Sequence, residues 1–296
     1  MAIPEADLKT MAAIGAQITS KETYSTVKLA LEANDTGYAS KNYNVFLQGS
    51  YGNDTNIYRE SDVDVVVCLD SIFTYDLTNL PLEQSQAFTA VHGPAKYTYT
   101  HFRDDVLAAL YARFGEYVKP GSKAILIEPL HNRRKADVLI AIQHRRYNRY
   151  VSASDQSFVQ GISFHKQDGN RVANYPKQHK ANMITKNQST NEWFKHIVRI
   201  FKNSRQKLIE QGMIGKGVAP SYYLEGLLYN VPLEMFGTSY DESMVKCINW
   251  LLAADRRKFV CANEQYNLLN DNSDVSWNSE SCDTFLNGLV HLWNNW

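Results

Sequence analysis

Gln48-Gly49-Ser50, then eleven residues (51–61), then Asp62-Val63-Asp64-Val65-Val66-Val67-Cys68-Leu69 is the run on which the fold reading turns. Its second half is rich in β-branched residues and reads as a strand. Side chains two apart on a strand share a face, so Asp62 and Asp64 project together while Val63, Val65 and Val67 project to the opposite, core side. Like charges this close repel and raise one pKa unless cations lie between them. Two divalent ions roughly 3.5 to 4 Å apart use both carboxylates as ligands. Oxygen-only ligation favours magnesium, with manganese as a substitute, over zinc.

Such a site needs one more carboxylate from another element, and Asp137 is the candidate, seventy-three residues beyond Asp64. In Lys135-Ala136-Asp137-Val138-Leu139-Ile140-Ala141-Ile142 the residues Val138, Ile140 and Ile142 alternate toward the core, which leaves Asp137 on the other face. Gly49-Ser50 follows a strand, Asn44 to Gln48, and precedes a polar, turn-like run. A glycine there lets backbone approach a ligand closely, and Ser50 offers hydroxyl and amide donors to a triphosphate. Phosphate with paired metals means nucleotidyl transfer: one ion activates the attacking hydroxyl, the other steadies the departing pyrophosphate. An Asp-x-Asp alone is mostly a solvated edge, and a lone Gly-Ser is weaker still. Order, spacing and the third strand acid together make the signal.

Outward from this run, Glu5 to Ala33 reads as one or two amphipathic helices and Phe102 to Phe114 as another, while Lys123 to Glu128 and Lys135 to Gln143 read as extended. Strands and helices mix without regular βαβ alternation. The expectation is an α+β fold around a mostly antiparallel or mixed sheet. From about Asn191 the patterns are helix-length: Trp193 to Gln211, Ser221 to Asn230, Glu242 to Ala254 and Cys282 to Trp293. The polar stretch from Val151 to Thr190, with a hairpin through Gly169-Asn170, is expected to link two lobes and line the cleft between them. The division is 1–175 for the mixed core with its N-terminal helix and 176–296 for the helical lobe.

Composition bounds the function classes. The chain has 296 residues, 44% hydrophobic and 21% charged, as in an ordinary globular protein. Thirty-one Lys plus Arg balance thirty-one Asp plus Glu, which argues against long nucleic acid as a partner. No apolar run is long enough to cross a bilayer, and MAIPEADLKT has no signal-peptide character, so no membrane association and a cytosolic location are expected. Cys68, Cys247, Cys261 and Cys282 are isolated from one another and from any His at ligand spacing, and read as buried small hydrophobes.

The Gly-Ser and Asp-x-Asp signature resembles that of the polymerase-beta-like nucleotidyltransferases. Within that superfamily the chain resembles the bacterial cGAS/DncV-like nucleotidyltransferases of antiphage signalling, clade E (CdnE). The likeness runs from QGSYGNDTNIYRESDVDVVV (Gln48 to Val67) through NYPKQH (Asn174 to His179), TKNQSTNEW (Thr185 to Trp193) and FKNSRQKLIEQG (Phe201 to Gly212) to APSYYLEGLLYNVP (Ala219 to Pro232). The signature marks the superfamily, and the later blocks are specific to the clade.

The resemblance implies a polymerase-beta-like nucleotidyltransferase core with a helical C-terminal lobe. It implies a monomeric, template-independent enzyme that joins two nucleoside triphosphates, releases pyrophosphate twice and makes a product sensed by a separate effector protein. It also implies that Asp62, Asp64 and Asp137 bind two Mg2+ ions, that Gln48, Gly49 and Ser50 hold the donor nucleotide, that Lys202 and Ser221 meet the triphosphate, and that Tyr222 stacks on a base. Lys202 on a solvated helix face and Tyr222 in a core are the bland rivals. Asn174 matches the residue associated with uracil recognition. Its amide complements O4 and N3–H of uracil, although a flipped amide suits cytosine or an adenine edge equally. The expectation is therefore that UTP is used, with ATP as the other substrate in one case, giving cyclic di-UMP or cyclic UMP-AMP. An Asn serving the turn before Tyr175-Pro176 is the alternative.

No Cys/His cluster and no basic excess accompany the signature, so direct sensing of double-stranded DNA is not expected. Two rival functions keep the same residues. A terminal nucleotidyltransferase acting on RNA or a protein hydroxyl would use the three acids and a basic track such as Arg133, Arg134, Lys135, Arg145, Arg146 and Arg149. A catalytically dead scaffold has no physical need for three crowded carboxylates.

Overall fold

Alternating β-branched runs and amphipathic stretches become, in chain order, α1 (Glu5–Ala12), α2 (Ile18–Leu31), β1 (Tyr43–Leu47), a single turn α3 (Gly49–Gly52), β2 (Val63–Asp76), α4 (Leu82–Val91) and α5 (Tyr99–Phe114). There follow β3 (Val118–Pro120), β4 (Ile125–Ile127), β5 (Ala136–Ser152), β6 (Asp155–His165) and β7 (Arg171–Asn174). The chain ends in α6 (Pro176–Ser189), α7 (Trp193–Glu210), α8 (Ser221–Tyr229), α9 (Tyr240–Ala253) and α10 (Ser279–Asn294). The computed structural model describes residues 2–15, 17–58, 62–131 and 133–296. Residues 59–61 of the run between Ser50 and Asp62 thus lie outside the described residues.

The chain divides into two compact units. One comprises Gln17–Gln48 and Asp62–Pro176, and the other Met1–Ala16, Gly49–Ser61 and Lys177–Trp296. The division differs from a simple cut near residue 175 in two places: α1 and the segment carrying Gly49-Ser50 both belong with the helices. Physical anchors explain this. Arg199 of α7, 5% exposed, donates through Nε to the Ala12 carbonyl and through Nη1 to that of Asp54. Gly15 donates to Asn56 O at 3.0 Å, and a Cβ on Gly15 would stand 2.6 Å from the Ile57 carbonyl carbon, so the backbone approach needs glycine. The opening helical region is therefore two helices with different allegiances.

In the sheet unit, among the described residues, seven strands run in the order β1-β2-β5-β4-β3, with β6 on β5 and β7 on β6. The sheet is mixed: β2 and β5 are parallel, and the other pairs are antiparallel. One face carries Val63, Val65, Val67, Val138, Ile140 and Ile142, packed with Val27, Leu31, Phe102, Val106 and Leu110 of α2 and α5. Burying each such side chain contributes about 1.5–3 kcal/mol, which pins the strand register because a slip by one residue would exchange the faces. The opposite face carries a smaller apolar strip of Val66, Cys68, Leu139, Ala141, Ile162 and Phe164. β5 runs on to Ser152, well past Gln143, with its outer half laddered to β6 as far as Ser152 and to β2 as far as Arg146.

In the helical unit α7 is the central element, with Ile197, Val198, Ile200, Phe201 and Leu208 packed among Leu224, Leu227, Met244, Phe285 and Leu289. The four cysteines are free and buried, as their isolation implies. No described helix is long and apolar enough to cross a membrane.

Candidate active site

Parallel pairing of β2 with β5 sets Asp64 directly opposite Asp137, so the two backbones lie about 4.8 Å apart. Asp62, two residues before Asp64, is exposed at the strand's start, while Asp64 and Asp137 are half-buried. Lys135 Nζ reaches Asp62 Oδ2 at 2.7 Å and Asp137 Oδ2 at 3.3 Å, so these carboxylates converge on one cation. The Asp62 hydrogen bond is the leading influence that raises the Lys135 ammonium above its ordinary pKa, burial acts the other way, and the Asp137 and Asp62 charges add to the rise. Among the described residues no trio of His, Cys, Asp or Glu is drawn tightly enough together to hold a metal ion by itself. The lysine ammonium stands among the acids instead, which marks the spot as one that accommodates positive charge. An all-oxygen donor set with that preference fits magnesium.

Gln48 ends the approach to the site: its backbone N–H donates to Asp64 O at 3.0 Å. Gly49 follows with φ of +66°, in the left-handed region, where a side chain would be strained. The loop then closes on itself through Asn53 N to Gly49 O at 3.0 Å and Thr55 N to Ser50 O at 2.9 Å.

Asn174, the last residue of β7, is half-buried. It stands opposite Ile162 of β6, which stands opposite Gln143 of β5. Directly opposed residues share a face, and Gln143 is six residues from Asp137, so Asn174 lies on the face of Asp64 and Asp137. The strip of Val66, Cys68, Leu139, Ala141 and Ile162 runs along this same face. Asn174 Oδ1 accepts a hydrogen bond from Tyr175 N at 2.8 Å. That contact is local, as a turn-serving Asn would make, and it also sets which way the amide faces.

In the helical unit Lys202 is fully buried, which corrects the solvated-face alternative. Its ammonium donates to Ser50 Oγ at 2.6 Å and to Thr55 O and Oγ1 at 3.1 and 3.2 Å, and pairs with Glu225 at 3.2 Å. Its protein contact is thus with the serine of the Gly-Ser turn. Ser221 Oγ accepts from Arg205 Nη1 at 3.0 Å, an arginine that also holds Ala219 O at 2.9 Å. Tyr222 is half-buried, stacks on His179 with ring centroids 4.9 Å apart, and its hydroxyl accepts from Asn263 Nδ2 at 2.9 Å. Its ring thus has an imidazole partner from its own unit.

The basic residues noted as a track for RNA are largely satisfied where they stand. Arg133 lies over Phe114 and Tyr117, Arg145 over Phe73 and Phe158, and Arg146 and Arg149 pair with Asp76 and Asp155. Sequence reasoning missed Lys135 as a partner of the acids, and Glu225, His179 and Arg205 altogether. A signal existed for Glu225: a lone carboxylate between Leu224 and Gly226-Leu227-Leu228 on a short apolar helix has to be paired or it would not be buried.

Residues 181–294 match the cGAS/DncV-like nucleotidyltransferase C-terminal helical domain. Over its whole length the chain is 40% identical to a cyclic UMP-AMP synthase of Rhodothermus marinus, of which it covers 99%. It is 36% identical, over all of both chains, to a cyclic nucleotide synthase of the CdnE group from Staphylococcus haemolyticus. The structure of the Rhodothermus marinus CdnE c-UMP-AMP synthase with Apcpp and Upnpp superposes with a TM-score of 0.89 at 39% identity, covering 99% of this chain and 97% of that one.

Proposed function

We propose that this chain, which belongs to the CdnE clade of the cGAS/DncV-like nucleotidyltransferases and is a cyclic dinucleotide synthase, uses UTP for at least one of its two nucleotides. The product is then cyclic di-UMP or, with ATP as the second substrate, cyclic UMP-AMP. A ribose hydroxyl of one nucleotide attacks the α-phosphorus of the other, the bond to pyrophosphate breaks, and a second round in the opposite sense closes the ring.

The single observation that carries the choice of UTP is the Tyr175 N–H donated to Asn174 Oδ1. Turning the amide over would set its NH2 against that N–H and leave a half-buried donor without an acceptor. In the observed sense Nδ2 donates to O4 of uracil while the second lone pair of Oδ1 accepts N3–H. Cytosine presents the reverse pattern and is disfavoured by about 1–3 kcal/mol. The structure of the Rhodothermus marinus relative, with Apcpp and Upnpp, supports this reading.

Asp62, Asp64 and Asp137 would hold the divalent ions, Mg2+ or in its place Mn2+, with Lys135 giving way or turning toward a phosphate. When bound, two such ions supply the positive charge that eases deprotonation of the attacking hydroxyl and steadies pyrophosphate. Asp137 would share in holding the ions and help to hold or deprotonate the attacking hydroxyl. Gln48, Gly49 and Ser50 receive the donor triphosphate, the last through its hydroxyl and amide. Lys202 acts on that triphosphate through Ser50. Arg205 sets Ser221 for a polar contact, and Tyr222, backed by His179, offers a ring to a base. The enzyme acts as a cytoplasmic monomer in antiphage defence, and its product is read by a separate effector protein.

Purified protein incubated with Mg2+ and labelled UTP and ATP, without any acceptor, tests this. A phosphatase-resistant product containing uridine is expected. A product free of uridine removes the role of Asn174, and label recovered only on added RNA or on protein favours a terminal transferase.

A further inference from the structure

The helical unit buries a cluster of ionisable groups centred on Glu225, a carboxylate that the chemistry above does not use. His179 on α6, Lys202 on α7 and Glu225 on α8 are each 2% exposed or less, and Asn53 and Thr55 beside them are 6% and 0% exposed. Glu225 takes four partners. Its Oε1 accepts from Thr55 Oγ1 and pairs with Lys202 Nζ at 3.2 Å. Its Oε2 accepts from Asn53 Nδ2 at 3.0 Å and His179 Nε2 at 2.8 Å. Burial alone would push the Glu225 carboxyl up, but the Lys202 charge, the His179 hydrogen bond and charge, and Thr55 outweigh it and hold it well below the usual carboxylate range. An ionised carboxylate only accepts, so Nε2 of His179 carries the proton.

Such a cluster is not there for stability: replacing buried ion pairs by apolar groups of the same volume is often neutral or stabilising. What it does is set geometry. The three donors of Lys202 are divided among Ser50, Thr55 and Glu225, which leaves the ammonium no freedom to rotate. Asn53 and Thr55, from the loop that begins with Gly49-Ser50, both land on the same carboxylate. Three side chains of the loop are therefore tied, directly or through Lys202, to one residue of α8.

We infer that Glu225 is a positioning residue which, with His179 behind it and Lys202 in front, holds loop 50–55 in the conformation that offers the Ser50 hydroxyl and amide to a nucleoside triphosphate. The inference rests on the reading above in which Ser50 meets phosphate. Glu225 touches no substrate, and its effect passes through Ser50.

A double-mutant cycle of Glu225→Gln and Ser50→Ala, read by pyrophosphate release from UTP and ATP, tests it together with amide hydrogen exchange of residues 49–55. Losing a hydrogen bond to a charged group corresponds to about a tenfold change or somewhat more. Each single change is expected to raise KM about tenfold with kcat nearly kept, and the double to be no worse than the poorer single, since residues of one network couple. Exchange across the loop is expected to rise in Glu225→Gln. An additive loss of about a hundredfold in the double, or an unchanged loop in Glu225→Gln, would overturn the inference. If Glu225→Gln does not fold, Thr55→Val, which keeps shape and removes the hydroxyl between Lys202 and Glu225, takes its place in the same cycle. If the unmodified protein releases pyrophosphate from no nucleotide, the enzymatic reading fails by itself, and loop exchange alone then decides the positioning role.

Discussion

On the sheet, Asp62 and Asp137 share one lysine ammonium within reach of water, with Asp64 opposite Asp137; in the helical unit, one carboxylate, one lysine and a histidine stand fully buried with a partner for each charge. The pairing separates them. Asp62 and Asp137 share the single ammonium of Lys135 near water, whereas Glu225 and Lys202 pair one to one in the interior. Carboxylates near water that share one ammonium can exchange that contact for another cation at small cost, since an exposed pair contributes about 1 kcal/mol or less. A cluster already paired and dry is suited to holding a loop, the role inferred above for Glu225. On the proposed reading the molecule separates the groups that do chemistry from those that aim them.

The sharpest way to break this contrast is to remove one member of each set. Asp62→Asn with Asp64→Asn is expected to lower turnover by about a thousandfold or more, because several kcal/mol of charge stabilisation go with the metals, while thermal unfolding moves little. Lys202→Met is expected to do the reverse in emphasis: denaturant unfolding should show a loss of about 3–5 kcal/mol, since it strands Glu225 in the interior. Should the aspartate variant unfold and the lysine variant remain stable, the contrast is wrong.

His144 sharpens the picture within the sheet unit. It is 3% exposed and bonded through Nδ1 to Thr74 Oγ1 at 2.9 Å. Burial, and then the Arg171 charge, push its imidazole from 6.5 down to about 4 against the opposing pull of Asp76. The folded protein keeps it neutral where the unfolded chain takes up a proton, so stability rises with pH from about 4 to about 6.5 and falls as the pH drops back through that window, by up to about 3 kcal/mol. Urea unfolding across this range should show a shallower slope for His144→Gln. Asn174→Ser should leave folding intact and reduce preference for UTP by roughly ten- to a hundredfold in competition assays. The smallest effect is reserved for Arg149 and Asp155, an exposed pair whose removal should alter unfolding by less than about 1 kcal/mol.

The acids were legible because a strand is a local object: a period of two places Asp62 beside Asp64 and Asp137 away from Val138, whatever the rest of the chain does. The pairing of β2 with β5, which sets Asp64 opposite Asp137, lay beyond reach. The full length of β5 was not legible, because Arg145, Arg146 and Arg149 read as a polar or basic stretch until their partners on other elements are known. The Glu225 cluster was hidden for a stronger reason. Its members come from the 50–55 loop and three helices, and no spacing rule links residues 55, 179, 202 and 225. Lys202 stayed open between a triphosphate contact and a solvated face because its position relative to the core depends on where that loop enters the helical unit. The two allegiances of the opening helices were invisible likewise, since both α1 and α2 carry ordinary amphipathic patterns.

One measurement bears most directly on the three acids as a shared metal site: anomalous scattering from crystals grown with Mn2+ and a non-hydrolysable UTP analogue. Manganese is expected bonded to Asp62, Asp64 and Asp137, with Lys135 displaced from between Asp62 and Asp137. Manganese absent from that face, with the Lys135 contacts intact beside a bound nucleotide, would contradict it.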